Sequence, residues 1–279
     1  MDIFERFLQL DRRIIFVLVA AAVVIPMLAP LHLRVTSSPP VERLYSYIDR
    51  LKAGTPVIIS MDYDPGTQAE LTPMAEALVR HCWRKHLPVI IMSLDPGGAG
   101  LSVEITDRLA RAEHAVDGVD YCLLGYKAGY EAVVLSFGRD IRLAYPNDYY
   151  NVPLDRVPMM KHVRSYRDVA VVVTLASASY PEVWIPYGHD RFGVKIAAGV
   201  TAVMAPEYYP YLETGQLIGL LGGLKGAAEY EELIGRPGNG AKGMDAQTMT
   251  HLLIVAFIML GNIAYFITLQ RKKKEWRST

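Results

Sequence analysis

The run from Pro88 to Phe137, PVIIMSLDPGGAGLSVEITDRLARAEHAVDGVDYCLLGYKAGYEAVVLSF, decides the fold. It opens on an unbroken apolar stretch, Pro88 to Leu94, which is strand length and is closed by the turn residues Asp95-Pro96-Gly97-Gly98. Leu101 to Ala115 then reads as a helix with Val103, Ile105 and Leu109 on its apolar side. The sequence repeats the order: Val119 to Leu124 as strand, Gly125 to Gly129 as turn, Tyr130 to Phe137 as helix. Strands that alternate with helices pair in parallel through right-handed crossovers, so the pattern predicts an α/β domain with a mostly parallel sheet and covering helices.

Working outward, the same alternation continues on both sides. Upstream, VERLYSYIDRLK places Leu44, Ile48 and Leu51 on one helical face, Pro56 to Met61 is an apolar strand, and Glu70 to His86 is amphipathic. Downstream, Asp140 to Leu143 reads as a short strand. Val169 to Leu175 (VAVVVTL) has the composition of a central parallel strand. Val194 to Ala198 is assigned to a helix and Thr201 to Met204 to a strand. Glu207 to Leu233 is read as one long helix broken near Gly222-Gly223, with Gly215, Gly219, Gly222, Gly223 and Gly226 forming a small-residue surface for close packing against the sheet or a neighbouring subunit. The domain is placed at residues 41–234.

Two apolar runs flank it, Ile14 to Leu31 and Leu252 to Leu269, each of about 18 residues, near the minimum that crosses a bilayer as a helix. The sequence thus divides into a tail (1–13), a first transmembrane helix (14–31), a connector (32–40), the domain, a linker (235–250), a second transmembrane helix (251–269) and a basic tail (270–279). Arg6, Arg12 and Arg13 lie before the first span, and Arg271, Lys272, Lys273, Lys274 and Arg277 follow the second, so both ends read as cytoplasmic and the mildly acidic domain as extracytoplasmic. The lipid bilayer is then a partner. With 29 basic and 29 acidic residues and 51% apolar content, the chain is too balanced for a nucleic-acid binder and too apolar for disorder. Cys82 and Cys122 lack metal-ligand spacing and read as two buried free thiols. No metal or cofactor is expected.

Three strand-end loops carry the candidate binding residues. Asp62 and Asp64 end one strand, where open α/β sheets place ligands. Two carboxylates two residues apart suit a cation or polar ligand, while the plainer reading is a turn whose Asp residues cap amides. Asp95, Gly97 and Gly98 offer backbone amides beside a helix start, which fits an anionic group or equally a tight glycine turn. Gly125, Lys127 and Glu131 join the next strand to its helix, with Lys127 and Glu131 at pairing distance along a helix. Ser177 and Ser179 close the VAVVVTL strand. A nucleophile there needs a base such as Lys127 or His189, and a polar turn is the simpler reading. Tyr149, Tyr150, His162, Tyr166, Tyr180, Trp184, Tyr187 and His189 concentrate in two loops that suit a protein partner or a carbohydrate-type platform, while half-buried packing is the plainer reading.

The strand at Pro56 to Met61 followed by PVIIMSLDPGGAGLSVEITDRLAR and VDYCLLGYKAGYEAVVLSFGRDIRLAYPN resembles the core of the Clp protease, signal-peptide-peptidase and crotonase superfamily. The resemblance implies that Gly97 and Gly98 form an oxyanion turn, that Ala128 or Gly129 occupies the nucleophile position, and that the chain oligomerises. No serine stands between Gly125 and Glu131, and Ser136 is the nearest. The expected function is therefore a membrane-anchored, non-catalytic scaffold that forms a homo-oligomer. The alternatives are a membrane-bound serine peptidase with Lys127 and an unrecognised serine, and an extracytoplasmic ligand-binding or sensory domain.

Overall fold

The computed structural model describes residues 11–31, 33 and 35–278. The chain divides into two units, Arg34–Ala241 and the pair of segments Met1–Leu33 and Lys242–Thr279. The first unit is an α/β domain with six parallel strands: β1 (Val57–Asp62), β2 (Val89–Ser93), β3 (Tyr121–Tyr126), β4 (Val171–Ala176), β5 (Ile196–Val200) and β6 (Leu217–Gly222). Their spatial order is β3-β2-β1-β4-β5-β6. The chain winds outward in one direction from β1 and in the other from β4, and right-handed crossovers then place helices on both faces of the sheet.

Strand alternation divides the interior into two cores. Val57, Ile59, Met61, Val171, Val173 and Leu175 point into one, while Ile58, Ile90, Met92, Val172 and Ile196 point into the other. In chain order, the helices are α1 (Arg12–Leu28), α2 (Pro39–Asp49), α3 (Gln68–Arg84), α4 (Gly98–Glu113), α5 (Tyr130–Phe137), α6 (Pro181–Trp184), α7 (Ala205–Glu213), α8 (Gly223–Leu233) and α9 (Asn239–Ser278). Helices α2, α3, α4 and α8 cover the first core, and α5, α6 and α7 the second. Cys82 lies in the first core and Cys122 in the second, both as free thiols. Burial pushes the Cys82 thiol up to about 12, which keeps it protonated and unreactive.

Several elements depart from the sequence reading. Residues 141–143 form a 3₁₀ turn instead of a strand, with the Asp140 carboxylate accepting the Arg142 amide at 2.9 Å. The segment read as helix at Val194 to Ala198 belongs to strand β5, and residues 201–204 are a turn. The long helix expected from Glu207 to Leu233 is instead helix, strand and helix, because Leu217–Gly222 (LIGLLG) completes the sheet as β6. Its glycines serve internal contact: a Cβ on Gly219 would stand 2.6 Å from the Leu44 Cβ of α2, and one on Gly226 would stand 2.9 Å from the Leu221 backbone.

The linker expected at 235–250 is also overturned, since α9 begins at Asn239. The buried Glu231 carboxylate accepts the amides of Gly238, Gly240 and Ala241 at 2.8, 2.9 and 2.8 Å, which satisfies the first orphan donors of that helix. The glycines of GRPGNG allow this approach. A Cβ on Gly238 would lie 2.8 Å from Glu231 Oε1, and one on Gly240 would lie 2.9 Å from the Ala227 Cβ.

In the second unit, residues 239–270 of α9 are the one stretch among the described residues long and apolar enough to cross a membrane. Leu252, Ile258, Met259 and Phe266 on it are exposed. Helix α1 is apolar but has 17 residues and contains Pro26. It rises about 25 Å, less than a hydrocarbon core of about 30 Å, so the first expected span is not matched by a helix of spanning length. Most of the tail assigned to 1–13 lies outside the described residues. After α1, the amides of Leu31 and Leu33 donate to the Asp245 carboxylate at 2.9 and 3.3 Å.

Glu231→Ala leaves three amide donors without their acceptor, and we expect it to lower unfolding stability by about 3 kcal/mol, with Glu231→Gln recovering part of the loss. Denaturant titration of the full chain followed by tyrosine and tryptophan fluorescence measures both.

Candidate functional site

The chain reverses its winding between β1 and β4, and the carboxyl ends of strands at such a switch point are where doubly wound sheets bind ligands. Asp62, the last residue of β1, lies at that point and is fully buried. Its Oδ1 accepts the Ser60 hydroxyl and the Leu94 amide, both at 2.7 Å, and its Oδ2 accepts the Thr174 hydroxyl at 2.9 Å. The one carboxyl thereby joins β1, the end of β2 and β4. Burial pushes its pKa up to about 6 against the opposing pull of these donors. The buried Trp184 indole N–H approaches the same group outside hydrogen-bonding geometry and adds a weaker pull.

Asp64, two residues on, is exposed. Its Oδ1 accepts the Gly66 and Thr67 amides at 2.8 and 3.2 Å, the turn that opens α3. The two carboxylates therefore occupy different environments, one as an internal brace and one as a cap. Asp95 closes the next loop: Oδ1 accepts the Gly97 amide at 2.6 Å, and Oδ2 accepts the Tyr180 hydroxyl from the loop after β4 at 3.0 Å. The Gly98 amide donates to the Asp95 carbonyl at 3.1 Å. A Cβ at Gly98 would fall 2.2 Å from the Met61 carbonyl oxygen and 2.6 Å from Ser93 Oγ, so glycine is required there for α4 to begin against β1. Both amides of the expected oxyanion turn thus have acceptors within their own loop.

Gly125 holds φ +76°, and a Cβ on it would stand 3.0 Å from the Tyr149 ring. Lys127 and Glu131 are exposed and form no ion pair with each other. The Lys127 ammonium lies 5.9 Å over the Tyr145 ring instead. The Ser177 amide donates to the Asp62 carbonyl at 3.3 Å. Among the described residues neither Ser177 nor Ser179 hydrogen-bonds to Lys127 or to His189, whose Nδ1 meets the Val194 carbonyl at 3.0 Å.

The loops that do converge carry tyrosines. Tyr130 and Tyr180 meet edge to face at 6.1 Å, which joins the loop after β3 to the loop after β4. Tyr149 and Tyr150 meet edge to face at 5.3 Å, the Tyr149 amide donates to the Leu123 carbonyl of β3 at 2.7 Å, and the Tyr150 hydroxyl donates to Asp107 at 3.1 Å. Tyr126, Tyr130, Tyr149 and Tyr150 are between 38% and 51% exposed, so about half of each ring still faces outward. Sequence reasoning missed Thr174 and Tyr126, and no motif marks either. An Asp that ends an apolar strand is a signal only for Asp62.

Two buried groups give the fold opposing pH responses. Asp62, raised from 3.8 to about 6, favours the folded state below pH 3.8 and loses that contribution as pH rises through 6. His81, buried against Tyr45, Tyr230 and Asp49, is lowered from 6.5 to about 4, chiefly by burial, so its contribution is present above pH 6.5 and lost as pH falls through 4. Each amounts to about 3 kcal/mol. Stability of the native chain should therefore vary little between pH 4 and 6.5. Asp62→Asn should make it fall on acidification, and His81→Gln should make it fall as pH rises, both read from melting temperature against pH. No known protein family, curated protein or solved structure matches the chain, so its chemistry is argued from its own residues.

Proposed function

We propose that the chain is a membrane-anchored, non-catalytic assembly protein whose α/β domain offers the carboxyl-end face of its sheet to a second copy. One observation carries this reading: Asp62, Asp95 and the amides of Gly97 and Gly98 are occupied within the fold, while Tyr126, Tyr130, Tyr149 and Tyr150 stay between 38% and 51% exposed at that face. Tyrosine supplies large rigid contact area with a polar tip, which suits an interface better than solvent. Of the glycines that suggested a packing surface, Gly219, Gly222, Gly223 and Gly226 are engaged inside the domain, which moves the expected contact to the tyrosine rim. The serine-peptidase alternative has less support, because Gly97 and Gly98 aim their amides at Asp95.

Anchoring at both ends completes the proposal, with α1 beside α9 as a second membrane segment, both termini cytoplasmic and the domain outside. The basic residues Arg12 and Arg13 before one apolar run and Arg271 to Lys274 after the other support it. A reporter active only in the cytoplasm should work when fused to either end and fail when inserted at the exposed turn at Gly193.

A second reading is a small-ligand site at the carboxyl ends of β1 and β4, which the strand order favours. A ligand bound there would raise the melting temperature of the native chain and lose that effect in Ser177→Trp. For the leading proposal, native mass spectrometry of the detergent-solubilised chain should give a defined oligomer. Tyr126→Ser/Tyr130→Ser/Tyr149→Ser should convert it to monomer without lowering the melting temperature of the domain. A monomeric native chain refutes the assembly role.

A further inference from the structure

A groove of about 770 Å³ runs between α2 and the start of β6, within the range of ~300–1,000 Å³ typical of small-molecule sites. It lies at the amino end of the sheet's edge strand, whereas the tyrosine rim lies at the carboxyl end of the sheet. Its floor is apolar, formed by Leu51, Leu217 and Ile218. The Tyr47 ring forms a wall, with its hydroxyl donating to the Ala170 carbonyl at 2.9 Å. Arg43 and Arg50, two turns apart on the same face of α2, stand at the rim. Both are exposed, and neither has an ion-pair or hydrogen-bond partner among the described residues. The acidic lining residue, Glu42, accepts the Ser37 hydroxyl at 2.5 Å.

An apolar trough with two free guanidinium groups at its edge matches a molecule with a hydrocarbon chain and an anionic head. Arginine presents paired N–H donors to a carboxylate or phosphate, and the hydrocarbon chain would cover the half-buried Leu51 and Ile218 side chains. Single-chain anionic amphiphiles partition into a bilayer, and this chain carries a helix able to enter one. We propose that the groove between α2 and β6 binds a single-chain anionic lipid drawn from the membrane, with Arg43 and Arg50 holding the head and Leu51, Leu217 and Ile218 holding the tail. This goes beyond the assembly role and does not rest on it.

The test uses the full chain in phosphatidylcholine nanodiscs and palmitate that carries a photoreactive diazirine near its methyl end. Irradiation should label peptides containing Leu51 or Leu217-Ile218. Unlabelled palmitate in excess should remove the label, and hexadecanol, which lacks the charge, should not. Arg43→Gln/Arg50→Gln should reduce labelling at least tenfold with an unchanged melting temperature, and Arg43→Lys/Arg50→Lys should keep most of it. Labelling confined to α1 or α9, equal labelling of the glutamine variant, or displacement by hexadecanol as effective as by palmitate would overturn the proposal.

Discussion

A single buried carboxyl holds the centre of this domain together. The two halves of the sheet wind away from each other between β1 and β4, and no short connection spans that seam. The backbone ladder joins the two strands across it, and Asp62 adds a buried side-chain link, reaching Thr174 on β4 and the Leu94 amide beyond β2, with the Tyr180–Asp95 bond crossing above it. A buried charge is costly unless every lone pair finds a donor, and here three donors surround it. The same contacts fix where the loops begin, so the positions of Asp95, Tyr180 and the tyrosine rim follow from a group that no solvent molecule touches.

Close backbone approach is the second organising theme. At Gly98, Gly219 and Gly226 a methyl group would collide with neighbouring atoms, and each lets a helix seat directly on a strand or on the adjoining chain. Leu44, Ile48 and Leu221 gain their burial from this proximity. The helix cap at Glu231 obeys the same rule, since Gly238 and Gly240 bring amides to a carboxylate that lies inside the protein.

Much of the architecture was legible because central parallel strands are apolar on both faces: PVIISM, PVIIMSL and VAVVVTL leave little choice. The alternation with helices then gave the fold class. Legibility failed where glycine had two meanings. Between Gly215 and Gly226 its spacing looked like a helical stripe, yet LIGLLG is a strand whose glycine accommodates α2. In the stretch read as a linker, Gly238 and Gly240 instead mark close approach to Glu231 and Ala227. For the site, the strand-end loops were placed correctly from turn residues, but their mutual contacts were invisible. Thr174 stands 112 positions from Asp62, and Tyr180 stands 85 from Asp95. Local pattern carries no information about pairs so far apart, and it allowed a Lys127–Glu131 pair where the Lys127 ammonium instead lies 5.9 Å over the Tyr145 ring.

The placement of the two thiols has a consequence for how the molecule breathes. Each sulfur is sealed in a different layer, Cys82 on the buried side of α3 on one face of the sheet and Cys122 within β3 toward the other. A thiol reagent reaches either one only through an opening of its own layer. The rates of alkylation at the two positions therefore separate the motions of the two faces, and the chain carries an intrinsic pair of clocks for local unfolding above and below the sheet.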